Sequence, residues 1–256
     1  MSQLQVSRVT KRFGGLTAVE DVSFEVHEGT VKALIGPNGA GKSTLFNAVS
    51  GFDRPDSGSV VFEGLEIVGK SARDVVGLGL ARTFQNTQLF DAMSAAENVM
   101  VGFQAHQGSG FLVAALGLHS AWAEERRAAE EAARILRLIG IEAWSDTLAT
   151  DLPAGVRRLV EIARALATQP RLLLLDEPAA GLNATETAEL VATLSRIRGR
   201  GTTVLIVEHD MGLVMEVSDE IVVLDRGRKL AEGPPRLIQK DPAVIAAYLG
   251  EEAADA

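Results

Sequence analysis

Nine residues near the start of the chain have the types and spacing of a phosphate-binding loop. In order they are Gly36, Pro37, Asn38, Gly39, Ala40, Gly41, Lys42, Ser43 and Thr44. Glycines let such a loop turn its amides inward around an anion, and the helix-like run that follows adds the positive end of its dipole. Lys42 can reach the β and γ phosphates, and the Ser43 hydroxyl can hold Mg²⁺. The sequence therefore predicts a site for a nucleoside triphosphate.

Two adjacent acids, Asp176 and Glu177, follow the apolar run 172–175. A phosphoryl-transfer site needs an acid that directs Mg²⁺ at a strand end near the phosphate loop, and Asp176 has this position. The neighbouring carboxylate of Glu177 can polarise a water molecule, which suits hydrolysis better than transfer to an acceptor. Gln85, at the end of a strand-like run, can bond Mg²⁺ or the attacking water, and His209 can contact the γ phosphate.

The composition excludes several classes of protein. The chain has 256 residues, no cysteine and a net charge of −9. Disulfides and thiolate metal sites are excluded, and the negative charge argues against general nucleic-acid binding. The sequence has neither an apolar run long enough to span a membrane nor the pattern of a signal peptide, so we expect a cytoplasmic protein.

Alternating strand-like and helix-like segments must position the chemical groups. Strand-like runs at 3–8 and 20–27 precede the phosphate loop, and a turn followed by a short strand at 58–64 predicts an antiparallel accessory sheet. The final third alternates between the two types of segment, at 184–198, 202–207, 210–217 and 220–225. This alternation predicts a parallel sheet with helices on its faces.

The predicted fold class is therefore α/β: a P-loop core with a mixed or parallel sheet, an antiparallel β accessory subdomain and an inserted α-helical subdomain. We expect one domain over 1–250. Its predicted parts are a catalytic core at 1–90 and 169–233, the helical subdomain at 91–168, C-terminal helices at 234–250 and, beyond the domain, an acidic tail at 251–256.

These motifs, in this order, resemble the ABC transporter ATPases over nearly the whole chain. The resemblance implies that the ligands are ATP and Mg²⁺. It places Gln85 in the Q-loop, Asp176 at the end of the Walker B strand, Glu177 as the catalytic base and His209 as the switch histidine. Phe13, in a basic turn at 11–15, has the place of the aromatic residue that stacks on adenine. From the residue alone, packing of Phe13 in the core is an equal alternative.

Two stretches depart from the family's usual pattern. Where the family has its L-S-G-G-Q signature, this chain has Leu152, Pro153, Ala154, Gly155 and Val156. Where the D-loop usually has S-A-L-D, it has Ala180, Gly181, Leu182 and Asn183. Pro153 has neither a hydroxyl group nor an amide proton, so contacts with phosphate are lost there. Asn183 can hydrogen-bond but lacks the charge of aspartate.

In the family, the signature of one subunit closes over the ATP that is held by the other. A homodimer would place Pro153 at both sites, whereas a different ATPase with the usual serine would complete the site built on Lys42 and Glu177. The resemblance thus favours a heterodimer. The alternative is a homodimer in which Gly155 and the helix that begins there supply enough phosphate contact.

Within the family, the stretches 177–183, 208–211 and 241–250 look most like the ATP-binding subunits of branched-chain amino-acid importers. This implies membrane permease subunits, a solute-binding protein and a place on the inner face of the cell membrane. It also implies that Leu89 and Phe90 are candidate anchors for a permease helix, although packing under the helical subdomain is equally compatible. Other amino-acid or urea importers, lipid exporters, soluble ABC proteins of ribosomes or DNA, and P-loop kinases or GTPases remain alternatives.

Overall fold

The computed structural model describes residues 2–83, 88–103 and 119–252. An antiparallel sheet of four strands contains β1 (Ser2–Phe13), β2 (Leu16–His27), β4 (Ser57–Phe62) and β5 (Leu65–Glu66), in the order β2-β1-β4-β5. This is the accessory sheet that the sequence predicts, and it includes both strands that precede the phosphate loop.

A second sheet of six strands forms the centre of the fold. Its members are β3 (Val31–Ile35), β6 (Leu80–Arg82), β7 (Leu172–Asp176), β8 (Thr203–Val207), β9 (Glu220–Asp225) and β10 (Arg228–Gly233). They lie in the order β10-β9-β3-β8-β7-β6, and only the β10–β9 pair is antiparallel. Every residue of β3, β7 and β8 is buried, as expected for parallel strands that are covered on both faces.

The helices cover this sheet and fill the connections between its strands. In the described residues they are α1 (Lys42–Val49), α2 (Ala72–Gly77), α3 (Ala95–Phe103), α4 (His119–Ile139), α5 (Ala154–Leu166), α6 (Ala184–Gly199), α7 (Met211–Val217), α8 (Pro235–Ile238) and α9 (Pro242–Glu252). Among the residues that the structure describes, no helix is both long and apolar enough to cross a membrane.

The two faces of the central sheet belong to separate hydrophobic clusters. On β7, Leu172 and Leu174 pack in a cluster with α1 and the antiparallel sheet. Leu173 and Leu175, which point the other way, pack in a cluster with the helices from α3 to α7. The alternation of side chains along a strand therefore joins the accessory sheet and the helical segments through one central layer.

One expectation from the sequence is wrong in detail. The basic turn expected at 11–15 is only Gly14 and Gly15, because β1 continues to Phe13, which pairs with Leu16. Gly14 has φ +58°, the left-handed conformation that so short a turn needs. The last helix, α9, ends at Glu252, two residues beyond the predicted end of the domain at residue 250.

Candidate active site

The phosphate loop lies between a buried strand and a helix, as predicted. The chain leaves β3 at Ile35, turns through the glycines and enters α1 at Lys42. Two of these glycines leave no room for a side chain. A Cβ atom on Gly36 would lie 2.2 Å from the carbonyl oxygen of Leu224, and one on Gly41 would lie 2.4 Å from that of Ala18. Both residues also have positive φ, 152° and 97°, so glycine is required there for two reasons.

A cleft of about 470 Å³ opens over this loop. Its walls include the predicted loop residues from Asn38 to Thr44 and the base candidate Glu177. The remaining lining comes from the start of β2 and from the β9–β10 turn, namely Leu16, Thr17, Ala18, Arg226 and Gly227. The cleft therefore brings Lys42, Ser43 and Glu177 together, although 135 residues separate Lys42 from Glu177 in the chain.

The ammonium group of Lys42 lies over the start of the loop. Its side chain is buried, and Nζ donates to the carbonyl oxygens of Gly36 at 2.6 Å and Pro37 at 2.9 Å. These bonds hold a positive charge beside the loop, and Lys42 is also the first residue of α1. The positive charge of Lys42 and the positive end of the α1 dipole both favour an anion at this loop.

Asp176 ends β7 and is paired with an arginine that the sequence analysis missed. Its Oδ2 atom accepts from an Arg82 Nη2 atom at 2.8 Å, and both side chains are almost completely buried. The other terminal nitrogen of Arg82 donates to Asn47 and Ser50 at 2.8 Å each. The guanidinium group also lies 4.9 Å from the centre of the Phe46 ring. Arg82 thus joins the end of β6, the end of β7 and helix α1.

Two of the predicted metal ligands, Ser43 and Asp176, carry oxygen donors of the type that suits a hard cation. The Ser43 hydroxyl lines the cleft, and the carboxylate of Asp176 ends the strand directly before Glu177. Hydroxyl and carboxylate oxygens are the donors that Mg²⁺ prefers. The residues present therefore fit Mg²⁺. In the described part of the chain no cluster of three or more His, Cys, Asp or Glu residues offers a separate metal site.

Glu177 has an unusual backbone conformation. Its φ is +46°, in the left-handed region that a residue with a side chain seldom occupies. Its amide donates to the carbonyl oxygen of Val207 at 2.9 Å, which attaches the turn after β7 to the end of β8. Strain of this kind persists when the surrounding bonds fix it, and it concentrates at functional sites.

Another buried acid, Glu208, lies directly before His209 and was not singled out from the sequence. It is 0% exposed and accepts backbone hydrogen bonds from Ala179, His209 and Asp210. Burial raises the pKa of the Glu208 carboxyl above its ordinary value, although these three bonds lower it. The His209 side chain is 62% exposed, with Nδ1 3.9 Å from a Glu208 oxygen.

Some of the predicted site residues do not line the cleft, and one of them is not among the residues that the structure describes. In the described part of the chain, Phe13, Asp176 and His209 do not line the cleft, and neither do Gly36 and Pro37 at the start of the loop. Phe13 is half exposed at the end of β1, with Lys11 Nζ 5.2 Å from its ring centre. Gln85 lies outside the residues that the structure describes.

The predicted signature and D-loop stretches lie side by side. Pro153 precedes α5 as its N-cap and supplies no side-chain acceptor. The amide of Gly155 instead donates to Glu186 Oε1 at 3.2 Å, while Glu186 Oε2 accepts from the amide of Asn183 at 2.9 Å. One carboxylate, also missed from the sequence, therefore caps α5 and α6 together. Neither stretch lines the cleft of its own chain.

The structure separates Leu89 from Phe90. Leu89 is partly buried against the core of the helical segments. Phe90 is 49% exposed, and the Arg164 guanidinium lies 5.9 Å from its ring centre. The packing alternative therefore describes Leu89, whereas Phe90 keeps an accessible apolar face.

Comparison with known proteins agrees with this geometry. The family model described as ABC transporter matches residues 19–180, and one described as branched-chain amino acid ATP-binding cassette transporter matches residues 228–254. The high-affinity branched-chain amino acid transport ATP-binding protein BraF of Pseudomonas aeruginosa is 45% identical over 97% of this chain and 98% of its own length. LivG of Escherichia coli, with the same description, is 41% identical over 98% of this chain and 100% of its own.

Solved structures show the same fold. The ADP conformation of MJ1267, an ATP-binding cassette of an ABC transporter, has a TM-score of 0.86 and 34% identity, with 98% of this chain and 100% of that chain covered. CbiO1 of Clostridium perfringens, part of the ABC transporter complex CbiONQ, has a TM-score of 0.80 and 28% identity, with 95% of this chain and 93% of that chain covered. The predicted fold class is confirmed, and the chain belongs to the ABC transporter family, as one of its ATP-binding ATPases.

Proposed function

We propose that this protein is the ATP-hydrolysing subunit of an importer for branched-chain amino acids. The observation that supports the catalytic part is that Lys42, Ser43 and Glu177 line the same cleft. The cargo is supported by the descriptions of BraF and LivG and by the family model that matches residues 228–254. The same likeness supports import over the export of lipids and over a role at ribosomes or DNA.

Each residue of the site has a definite part in the proposed hydrolysis. The loop amides and Lys42 bind the phosphates of ATP, and Ser43 and Asp176 hold Mg²⁺ together with Gln85. When bound, Mg²⁺ neutralises charge on the β and γ phosphates. Glu177 accepts a proton from the attacking water, and His209 contacts the γ phosphate. Phe13 stacks on adenine, which is supported by its exposure and by its pairing with Leu16, a residue of the cleft wall.

The protein works as one of two ATPase subunits on a membrane permease. The exposed Phe90 is the proposed anchor for a permease helix, and through this contact the ATPase lies on the inner face of the cell membrane. A solute-binding protein would deliver the amino acid. Because Pro153 provides no hydroxyl group, we favour a partner ATPase that carries the usual serine, with a homodimer as the alternative.

The substitution Glu177→Gln tests the catalytic assignment. It removes the charge that polarises water and preserves the loop, so ATP binding should persist while turnover falls by at least about a hundredfold. Glu189, an exposed acid on α6, provides the matched control Glu189→Gln, which should retain the parent rate. Binding is measured with a fluorescent ATP analogue and turnover by phosphate release. Parent-level hydrolysis by the Glu177→Gln protein would refute Glu177 as the base.

The cargo is tested in cells. Deletion of the gene should abolish the uptake of labelled leucine, isoleucine and valine at low external concentration, and the parent gene should restore it. The tagged protein should be recovered in the membrane fraction. Unchanged uptake of these three amino acids, with loss of another solute, would refute the proposed cargo and leave the ATPase assignment standing.

A further inference from the structure

Glu208 is a charged residue in a place where a charge is costly. Its side chain is 0% exposed at the end of β8, and in the part of the chain that the structure describes no lysine or arginine is paired with it. A buried carboxylate is tolerated when hydrogen bonds replace its water shell. An apolar side chain would fill the same space without that cost, so packing alone does not account for an acid here.

The hydrogen bonds of Glu208 connect two turns. One oxygen, Oε1, accepts from the amide of Ala179 at 2.7 Å, in the turn that begins at Glu177. The other, Oε2, accepts from the amides of His209 at 3.1 Å and Asp210 at 3.4 Å. Charge-assisted bonds of this kind are stronger than bonds between neutral groups. The carboxylate thus holds the turn after β7 against the turn after β8.

This connection acts on residues with functional roles. The amide of Glu177 is already bonded to Val207, so the turn is attached to the end of β8 at two points. Glu177 lines the cleft, and His209 follows Glu208 directly. We infer that Glu208 is a positioning residue for ATP hydrolysis, which keeps the Glu177 side chain and the His209 side chain in a fixed relation. The inference rests on the roles proposed above for those two residues.

Two substitutions break opposite halves of the connection. In Glu208→Gln the single amide oxygen can keep the Ala179 bond, but the NH₂ group then faces the donors of His209 and Asp210. In Glu208→Asp the charge remains near its own turn, but the acid is one methylene too short to reach Ala179. Each variant should lower kcat by about tenfold to a hundredfold and leave the KM for ATP within about twofold, because misplaced catalytic groups affect the chemical step.

The matched control is Glu216→Gln, the same chemical change at an exposed acid on α7. It should hydrolyse ATP at the parent rate. Thermal unfolding establishes that each variant is folded at the assay temperature. If both Glu208 variants are folded and hydrolyse ATP within about twofold of the parent rate, the inference is overturned.

A double substitution separates positioning from general stability. If Glu208→Gln acts through His209, then in a His209→Ala background it should lower kcat by no more than about a further twofold. If the double variant loses kcat by the product of the factors of the two single variants, the inference is overturned.

Hydrogen exchange provides a readout that does not depend on hydrolysis. In Glu208→Gln the amides of His209 and Asp210 should exchange faster while that of Ala179 stays protected, and Glu208→Asp should show the reverse. Unchanged exchange in both variants would overturn the inference whatever the ATPase rate. A parent protein without ATPase activity would refute the proposed function, and it would leave this exchange pattern as a separate result.

Discussion

Removal of Arg82 should destabilise the protein, because the buried acid Asp176 then loses its charged partner. The Arg82 and Asp176 side chains are 12% and 9% exposed, and their charged atoms lie 2.8 Å apart. Arg82→Ala would leave the Asp176 carboxylate buried without its partner, and breaking such a pair costs about 3–5 kcal/mol. Partial access of water favours the lower end, about 3 kcal/mol. For a chain of this size that loss corresponds to a fall in Tm of about 6–12 °C.

The assay is thermal unfolding of the parent, Arg82→Ala and Arg82→Lys proteins. Lysine keeps the charge but cannot reproduce the fork that serves Asp176, Asn47 and Ser50 at once, so its Tm should lie between the other two. Arg126 provides the control, because it forms an ion pair with Glu130 at the surface. The two side chains are 83% and 55% exposed, respectively. Arg126→Ala should cost no more than about 0.5 kcal/mol. Equal losses of Tm in Arg82→Ala and Arg126→Ala would refute the reasoning.

Three further predictions concern the cleft and the partner subunit. Gly41→Ala should weaken ATP binding by more than about tenfold, since a Cβ atom there overlaps the carbonyl oxygen of Ala18. Gly39→Ala, where φ is also positive but nothing lies within 4 Å, should do less harm, and equal losses would contradict the steric explanation. Pro153→Ser in the Glu177→Gln background should lengthen the lifetime of an ATP-dependent dimer, because a hydrogen bond to a charged group is worth about 1.5–3 kcal/mol. Before that change, the Glu177→Gln protein alone should elute as a monomer in size exclusion with ATP and Mg²⁺; a stable homodimer would contradict the preferred heterodimer.

The local parts of the site could be predicted because they lie within short stretches. The phosphate loop consists of consecutive residues between a strand and a helix, and Asp176 directly follows an apolar run. The partners Arg82 and Glu208 could not be assigned in this way. Their bonds depend on the neighbours of β7 in the sheet, with β6 on one side and β8 on the other. Only the strand order reveals that Arg82 meets Asp176 and that Glu208 meets Ala179.

The sequence pattern also did not predict how far β1 and β2 extend towards their turn. Lys11 and Phe13 look like turn residues because glycines follow them, but strand pairing extends to the last residue before Gly14. Cross-strand bonds with a partner that lies nearby in the chain outweighed the local preference. The stacking of Phe13 on adenine stays a prediction, and Leu16, its strand partner, belongs to the cleft wall.

The carboxylate that caps both α5 and α6 constrains how this protein can diverge. A Cβ atom at position 155 would lie 2.7 Å from a Glu186 oxygen and 2.8 Å from its Cγ and Cδ atoms. A larger residue 155 would therefore push the Glu186 side chain aside, and a displaced or shorter residue 186 would uncap both helices. Among descendants of this sequence, we expect positions 155 and 186 to change together or not at all. A residue with a hydroxyl group at position 153 could cap α5 itself, and positions 155 and 186 could then change independently.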